Sequence, residues 1–150
     1  MKESAKLENI EPELAGLVLI SHGTFAIGLL DSLRLITGQT KNVMALVLEE
    51  GDIPKEFSDK VFEVIDNFTS GAIIFIDILG GTPSNLFLLG ANKISKPYLA
   101  FSGMNLPMVL EAAMMRSAYS FEQISEEVMS SGKDSIINLN EVVRKLIEDE

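Results

Sequence analysis

The chain has 150 residues, 22 acidic against 12 basic side chains, a net charge of −10, one histidine and no cysteine, and 47% of it is hydrophobic. That length and apolar content suit one domain with one core, and the acidic excess works against non-specific nucleic-acid binding, which needs basic charge to neutralise phosphates. The missing cysteines exclude disulfides, thiolate metal sites and thiol nucleophiles, and a single histidine leaves too few ligands for zinc.

No apolar run reaches bilayer length, and the opening Met1-Lys2-Glu3-Ser4-Ala5-Lys6-Leu7-Glu8 lacks the hydrophobic core of a signal peptide, so a soluble, cytoplasmic protein is expected. Residues 1–13, mixed in charge and closed by Glu11-Pro12-Glu13, read as a flexible tail with too few apolar groups to offset the entropy of ordering them; residues 14–150 form the domain. Leu17-Val18-Leu19-Ile20 is an apolar run that stops at Ser21-His22-Gly23, the pattern of a strand buried on both faces. Ile27, Leu30, Leu33 and Ile36 follow at helical spacing up to Gly38. Residues 43–48 have strand length, and Glu49-Glu50-Gly51-Asp52 reads as a solvated turn. From Pro54, the spacing of Phe57, Val61, Val64, Ile65 and Phe68 predicts a one-faced helix.

Gly71 precedes the most strand-like segment, Ala72-Ile73-Ile74-Phe75-Ile76, which ends at Asp77. In Gly80-Gly81-Thr82-Pro83, Thr82 has the chemistry of an N-cap and Pro83 of a first helical residue. A strand over 98–102 runs into Gly103-Met104-Asn105, a helix opens at Pro107, and Ser120 is a plausible cap for a helix carrying Phe121, Ile124 and Val128. Residues 135–139 read as a short last strand, with Asn140 capping a terminal helix that carries Val142, Val143, Leu146 and Ile147. Strands alternating with helices, without internal repeats, predict an α/β fold: a doubly wound, mainly parallel sheet with helices on both faces.

In such sheets ligands collect at the carboxyl ends of the strands. Three polar or glycine-rich loops fall there, and if the first and third strands flank the switch point, His22 and Asp77 face one another. A carboxylate that holds one ring nitrogen fixes the tautomer and leaves the other nitrogen's lone pair exposed, and glycines with free helix-start amides make a place for phosphate. Taken singly, a lone histidine is more often a structural hydrogen-bonding group, and a Gly-Gly turn is usually only a turn. A hydrolase triad fares worse, because Ser21 adjoins His22 on a strand and points to the other face, while Ser84 has no nucleophile-elbow motif around it. A phospho-aspartate receiver needs acidic residues after the first strand, and the Gly-x-x-x-x-Gly-Lys-Ser/Thr phosphate loop is absent.

Ser21-His22-Gly23, Asp77-Ile78-Leu79-Gly80-Gly81-Thr82-Pro83 and Gly103-Met104-Asn105-Leu106-Pro107-Met108, in that order and over nearly the whole chain, resemble the enzyme IIA domains of the mannose/fructose/sorbose-type sugar phosphotransferase system. The resemblance implies that His22 takes a phosphoryl group from the histidine-containing phosphocarrier protein and passes it to a IIB domain. That domain phosphorylates sugar entering through membrane IIC and IID subunits. It implies that Asp77 holds the imidazole and that Thr82, serine in other members, contacts the phosphoryl group. Gly23, Gly80, Gly81 and Asn105 complete the expected phosphate-binding set, with no metal and no cofactor. It also implies a homodimer in which the short carboxyl-terminal strand is exchanged onto the edge of the partner's sheet. Two other readings remain: the phosphotransfer subunit of dihydroxyacetone kinase, which shares the fold and a histidine after the first strand, and a non-catalytic anion-binding regulatory domain. The sugar is not legible, since a IIA domain never touches it.

Overall fold

A computed structural model describes residues 2, 3, 7 and 9–150. Four parallel strands carry the fold, and β1 (Lys2–Glu3) adds antiparallel at one edge. The parallel strands are β2 (Gly16–His22), β3 (Val43–Leu48), β4 (Ala72–Ile76) and β5 (Tyr98–Ser102), and the sheet order is β1-β3-β2-β4-β5. Because β2, β3 and β4 are covered on both faces, they read as continuous apolar runs. Leu17, Leu19, Ala45, Val47, Ile73 and Phe75 face α1 (Phe25–Thr37), α4 (Leu106–Met115) and α5 (Phe121–Asp134). The alternate residues Val18, Ile20, Met44, Leu46, Ile74 and Ile76 face α2 (Pro54–Asp66) and α3 (Thr82–Gly90), packing on Phe57, Phe68 and Phe87. Each such fully buried side chain contributes about 1.5–3 kcal/mol, so the two clusters together form the three-layer sandwich expected from the sequence. Among the described residues no helix is long and apolar enough to cross a membrane.

From β2 the chain passes through α1 to β3 on one side, then crosses through α2 to β4 on the other. The helix that follows β2 and the helix that follows β4 therefore lie on opposite faces, which opens the switch-point crevice between the carboxyl ends of these two strands. His22 ends β2, and Asp77 follows β4 directly.

The amino ends of the strands are held by polar groups that hydropathy does not register. The buried Arg116, whose guanidinium burial pushes down to about 10, stays protonated at neutral pH and donates to the carbonyls of Ala15, Lys41 and Asn42 and to Gln39 Oε1. Asn42, buried at φ 52°, donates from Nδ2 to the carbonyls of Glu11 and Leu14 and accepts from the Glu11 amide. The hydroxyls of Thr69 and Ser70 donate to the Pro12 carbonyl. Of residues 1–13, expected as a tail, the described Lys2–Glu3 pairs with β3, and 11–14 is held through backbone groups. Hydropathy saw only missing apolar side chains.

Three expectations change. Thr82 is the first residue of α3, and Gly81 occupies the N-cap. Asn138, accepting from the Asn140 amide, caps α6 (Leu139–Glu148) in place of Asn140. The short last strand does not form within the protomer: residues 136–138 have no ladder partner and α6 begins at Leu139. A strand exists only by pairing, and a single copy leaves this segment nothing to pair with.

Replacing Arg116 with Met keeps the bulk but takes the guanidinium away from four acceptors, of which the Asn42 carbonyl still holds the Leu17 amide. Urea unfolding of Arg116→Met should show a loss of about 3 kcal/mol at an unchanged m-value.

Candidate functional site

The site is built where the β2–β4 ladder runs out. The register pairs Ile20 with Ile76, and the Asp77 amide donates to the Ile20 carbonyl at 3.1 Å. One step further the side chain takes over. Asp77 Oδ2 accepts the His22 backbone N–H at 2.8 Å and lies 2.7 Å from His22 Nδ1, while Oδ1 accepts the Ile78 amide at 2.8 Å. A carboxylate has no proton to give, so Nδ1 carries the hydrogen and Nε2 presents its lone pair. The Asp77 side chain is 11% exposed and the His22 side chain 48%, which keeps the orienting group sheltered and the ring accessible.

Gly81 faces the free side of the ring. A Cβ placed there would lie 2.6 Å from His22 Cε1 and 3.2 Å from Nε2, so only glycine lets the backbone approach the ring this closely. Gly80 adopts φ 86°, turning the chain into α3. Among the described residues the amides of Gly80, Gly81 and Thr82 have no backbone acceptor, and the exposed Thr82 hydroxyl has no partner. Such a run of free N–H groups at a helix start binds anions.

Of the expected residues, His22, Asp77, Gly80, Gly81 and Thr82 converge on this crevice. Gly23 and Asn105 have their polar groups engaged within the chain. Gly23 at φ 54° spends its amide on the Leu48 carbonyl at 2.9 Å, so it makes the turn and offers no donor to an anion. Asn105 caps α4, accepting the Met108 amide at 3.1 Å, and donates from Nδ2 to the Gly132 carbonyl at 3.0 Å, so its amide ties α4 to α5. A short amide side chain just ahead of a helix is a natural cap, and that role has taken it here.

Ser21 is fully buried; its hydroxyl accepts the Ala26 amide at 2.8 Å and donates to the Gly23 carbonyl at 3.2 Å. It shapes the turn under His22. Ser84 is also buried, donating to the Gly81 carbonyl at 2.9 Å. Sequence reasoning missed the exposed apolar rim: Phe25 beside the turn after His22, and Ile78 and Leu79 in the loop after Asp77. The signal was there, since bulky apolar residues are out of place in a solvated loop.

Over residues 16–129 the chain matches the family model described as "PTS system fructose IIA component". It therefore belongs to that family, the IIA components of the mannose/fructose/sorbose type, a class of phosphotransfer proteins. It is 22% identical over 135 residues to the fructose-specific EIIA component of Bacillus subtilis (strain 168), covering 89% of this chain and 92% of that one. To the sorbose-specific EIIA component of Lacticaseibacillus casei it is 25% identical over 128 residues, covering 83% and 91%. The crystal structure of the phosphotransferase system component EIIA from Streptococcus agalactiae superposes with a TM-score of 0.77 at 26% identity, covering 85% of this chain and 98% of that one.

Gly81→Ala tests the packing on the ring. The added methyl must push the imidazole off Asp77, so nitrogen-detected NMR of His22 should show the single Nδ1–H tautomer of the wild type replaced by a mixture, with the thermal midpoint little changed.

Proposed function

We propose that His22 accepts a phosphoryl group on Nε2 from the histidine-containing phosphocarrier protein and passes it to a IIB domain, which phosphorylates sugar entering through membrane IIC and IID subunits. The observation that carries this reading is the 2.7 Å contact of Nδ1 with Asp77, which leaves Nε2 as the free nucleophile in front of unpaired amides. The Nε2 lone pair attacks phosphorus as the donor's P–N bond breaks, and the electron pair of that bond returns to the donor imidazole. The ring, still protonated at Nδ1, then carries positive charge that Asp77 balances. The Gly81 and Thr82 amides and the Thr82 hydroxyl hold the phosphoryl oxygens. Exchange between two histidines is nearly balanced in energy, so positioning and anion stabilisation are what the site has to supply. The apolar rim of Phe25, Ile78 and Leu79 suits protein partners that press against the ring.

The same reading includes a homodimer. Residues 136–138 have no ladder partner, Ile136 and Ile137 are exposed, and β5 is an open sheet edge. Pairing the segment with the edge of a second copy removes both liabilities. Sedimentation of the full chain should give twice the chain mass, and Ile137→Pro, which deletes a ladder N–H, should shift it toward monomer.

Incubation with enzyme I, the phosphocarrier protein and phosphoenolpyruvate should place one phosphate per chain, stable in base and labile in acid. His22→Ala should remove it entirely, and no second histidine exists to confuse the assay. Asp77→Asn should fold normally and transfer on the order of 10²-fold more slowly. A label that survives in His22→Ala overturns the reading and favours a regulatory anion site.

A further inference from the structure

The unpaired amides of Gly81 and Thr82 belong to peptide units whose carbonyls are held. The Gly81 N–H shares a unit with the Gly80 carbonyl, and the Thr82 N–H shares one with the Gly81 carbonyl. A trans peptide is planar, with its N–H and C=O pointing opposite ways, so whatever grips the carbonyl aims the amide. The Gly81 carbonyl is gripped twice, by the Asn85 backbone amide at 3.0 Å and by the Ser84 hydroxyl at 2.9 Å. Among the described residues the Gly80 carbonyl has one donor, the side chain of Asn85, whose Nδ2 lies 3.3 Å away. A carbonyl only accepts, so the Asn85 atom turned toward it must be Nδ2.

The Gly80–Gly81 unit is also the least constrained part of the loop. Both residues that flank it are glycine, Gly80 at φ 86° and Gly81 at φ −77°. Turning the unit over carries φ of Gly81 to the positive side, which a residue with a side chain resists and glycine does not. Gly81 cannot be exchanged for a stiffer residue, because a Cβ there would lie 2.6 Å from His22 Cε1. The close approach to the ring therefore brings with it a peptide free to flip. In the flipped form a carbonyl oxygen stands where the N–H donor was, and it repels an anion.

We infer that Asn85 supplies the missing restraint: by donating from Nδ2 to the Gly80 carbonyl it keeps the Gly81 N–H aimed at the phosphoryl group carried on His22. Asn85 is a positioning residue, since it acts through a backbone unit and needs no contact with the ring. Its place suits that role better than helix building. Asparagine is a weak helix former, yet it stands exposed in the first turn of α3, and its side chain reaches back past the N-cap Gly81 to a carbonyl outside the helix. A neutral hydrogen bond of this kind shifts an equilibrium by up to about tenfold, enough to decide which way a glycine-flanked unit faces. The inference rests on the phosphoryl-transfer reading above and adds to it a residue outside the set that meets the anion.

Asn85→Leu keeps the shape of the side chain and Asn85→Ala is the better helix former; neither can donate. In both, kcat for phosphoryl transfer from the phosphocarrier protein should fall about three- to tenfold, with KM unchanged and the thermal midpoint not lowered. The nuclear Overhauser effects from the Gly80 α-protons to the Gly81 N–H report which way the unit faces, and they should change in the unphosphorylated variants. A role confined to helix stability would move the midpoint and leave the Overhauser pattern alone. A normal transfer rate in both variants overturns the inference. So does a slow rate with the wild-type Overhauser pattern, which makes Asn85 a direct contact of the phosphoryl group or of the partner. A wild type that takes no label removes the transfer reading and the purpose assigned to Asn85 with it; an altered Overhauser pattern then leaves Asn85 as a hold on the turn alone.

Discussion

One carboxylate oxygen organises the functional end of this protein. Asp77 Oδ2 takes both the backbone N–H and the ring Nδ1 of His22, so a single atom ends the β2–β4 ladder and orients the imidazole. This works only because the parallel register sets Ile20 against Ile76 and carries the Asp77 amide onto the Ile20 carbonyl. A slip of one residue would turn both side chains to other faces and separate them. On the opposite side of β2, the Gly23 amide closes onto the Leu48 carbonyl, so His22 is gripped from both neighbouring strands.

The loop after Asp77 owes its shape to the same atoms. Oδ1 holds the Ile78 amide, Gly80 makes a turn that few other residues adopt, and Gly81 brings bare backbone against the ring. The consequence is an imidazole nitrogen and a row of unpaired amides a few ångströms apart on rigid elements, the arrangement that a group passed between histidines calls for under the reading proposed here. The buried serines beneath, Ser21 and Ser84, spend their hydroxyls on the two turns that frame the site.

The sandwich is unequal. α1, α4 and α5 cover one face across to β5, whose Leu99 and Phe101 pack beneath them, but α2 and α3 leave the other side of β5 open. β5 is an open sheet edge with an open face beside it, and α6 carries an apolar stripe with no residue buried. Under the dimer proposed here, a second copy covers the open edge.

Much of this was legible in the residues. Doubly buried strands must be continuous apolar runs, which is why Leu17 to Ile20 and Ala72 to Ile76 announced a covered parallel sheet and placed His22 and Asp77 at its carboxyl ends. Glycines before a helix and a lone histidine marked the crevice. The tertiary structure alone decided which polar groups were free. Asn105 and Gly23 have the right chemistry for an anion but are committed to a cap and a turn, while Gly81 and Thr82 keep unpaired amides. It also decided that Asn42 and Arg116, separated by about half of the chain, tie down the amino ends of the strands. Hydropathy and periodicity report what a segment buries, and that is a local property. The partner a hydrogen-bonding group finds depends on neighbours distant in sequence, and only the folded chain brings them within 3 Å.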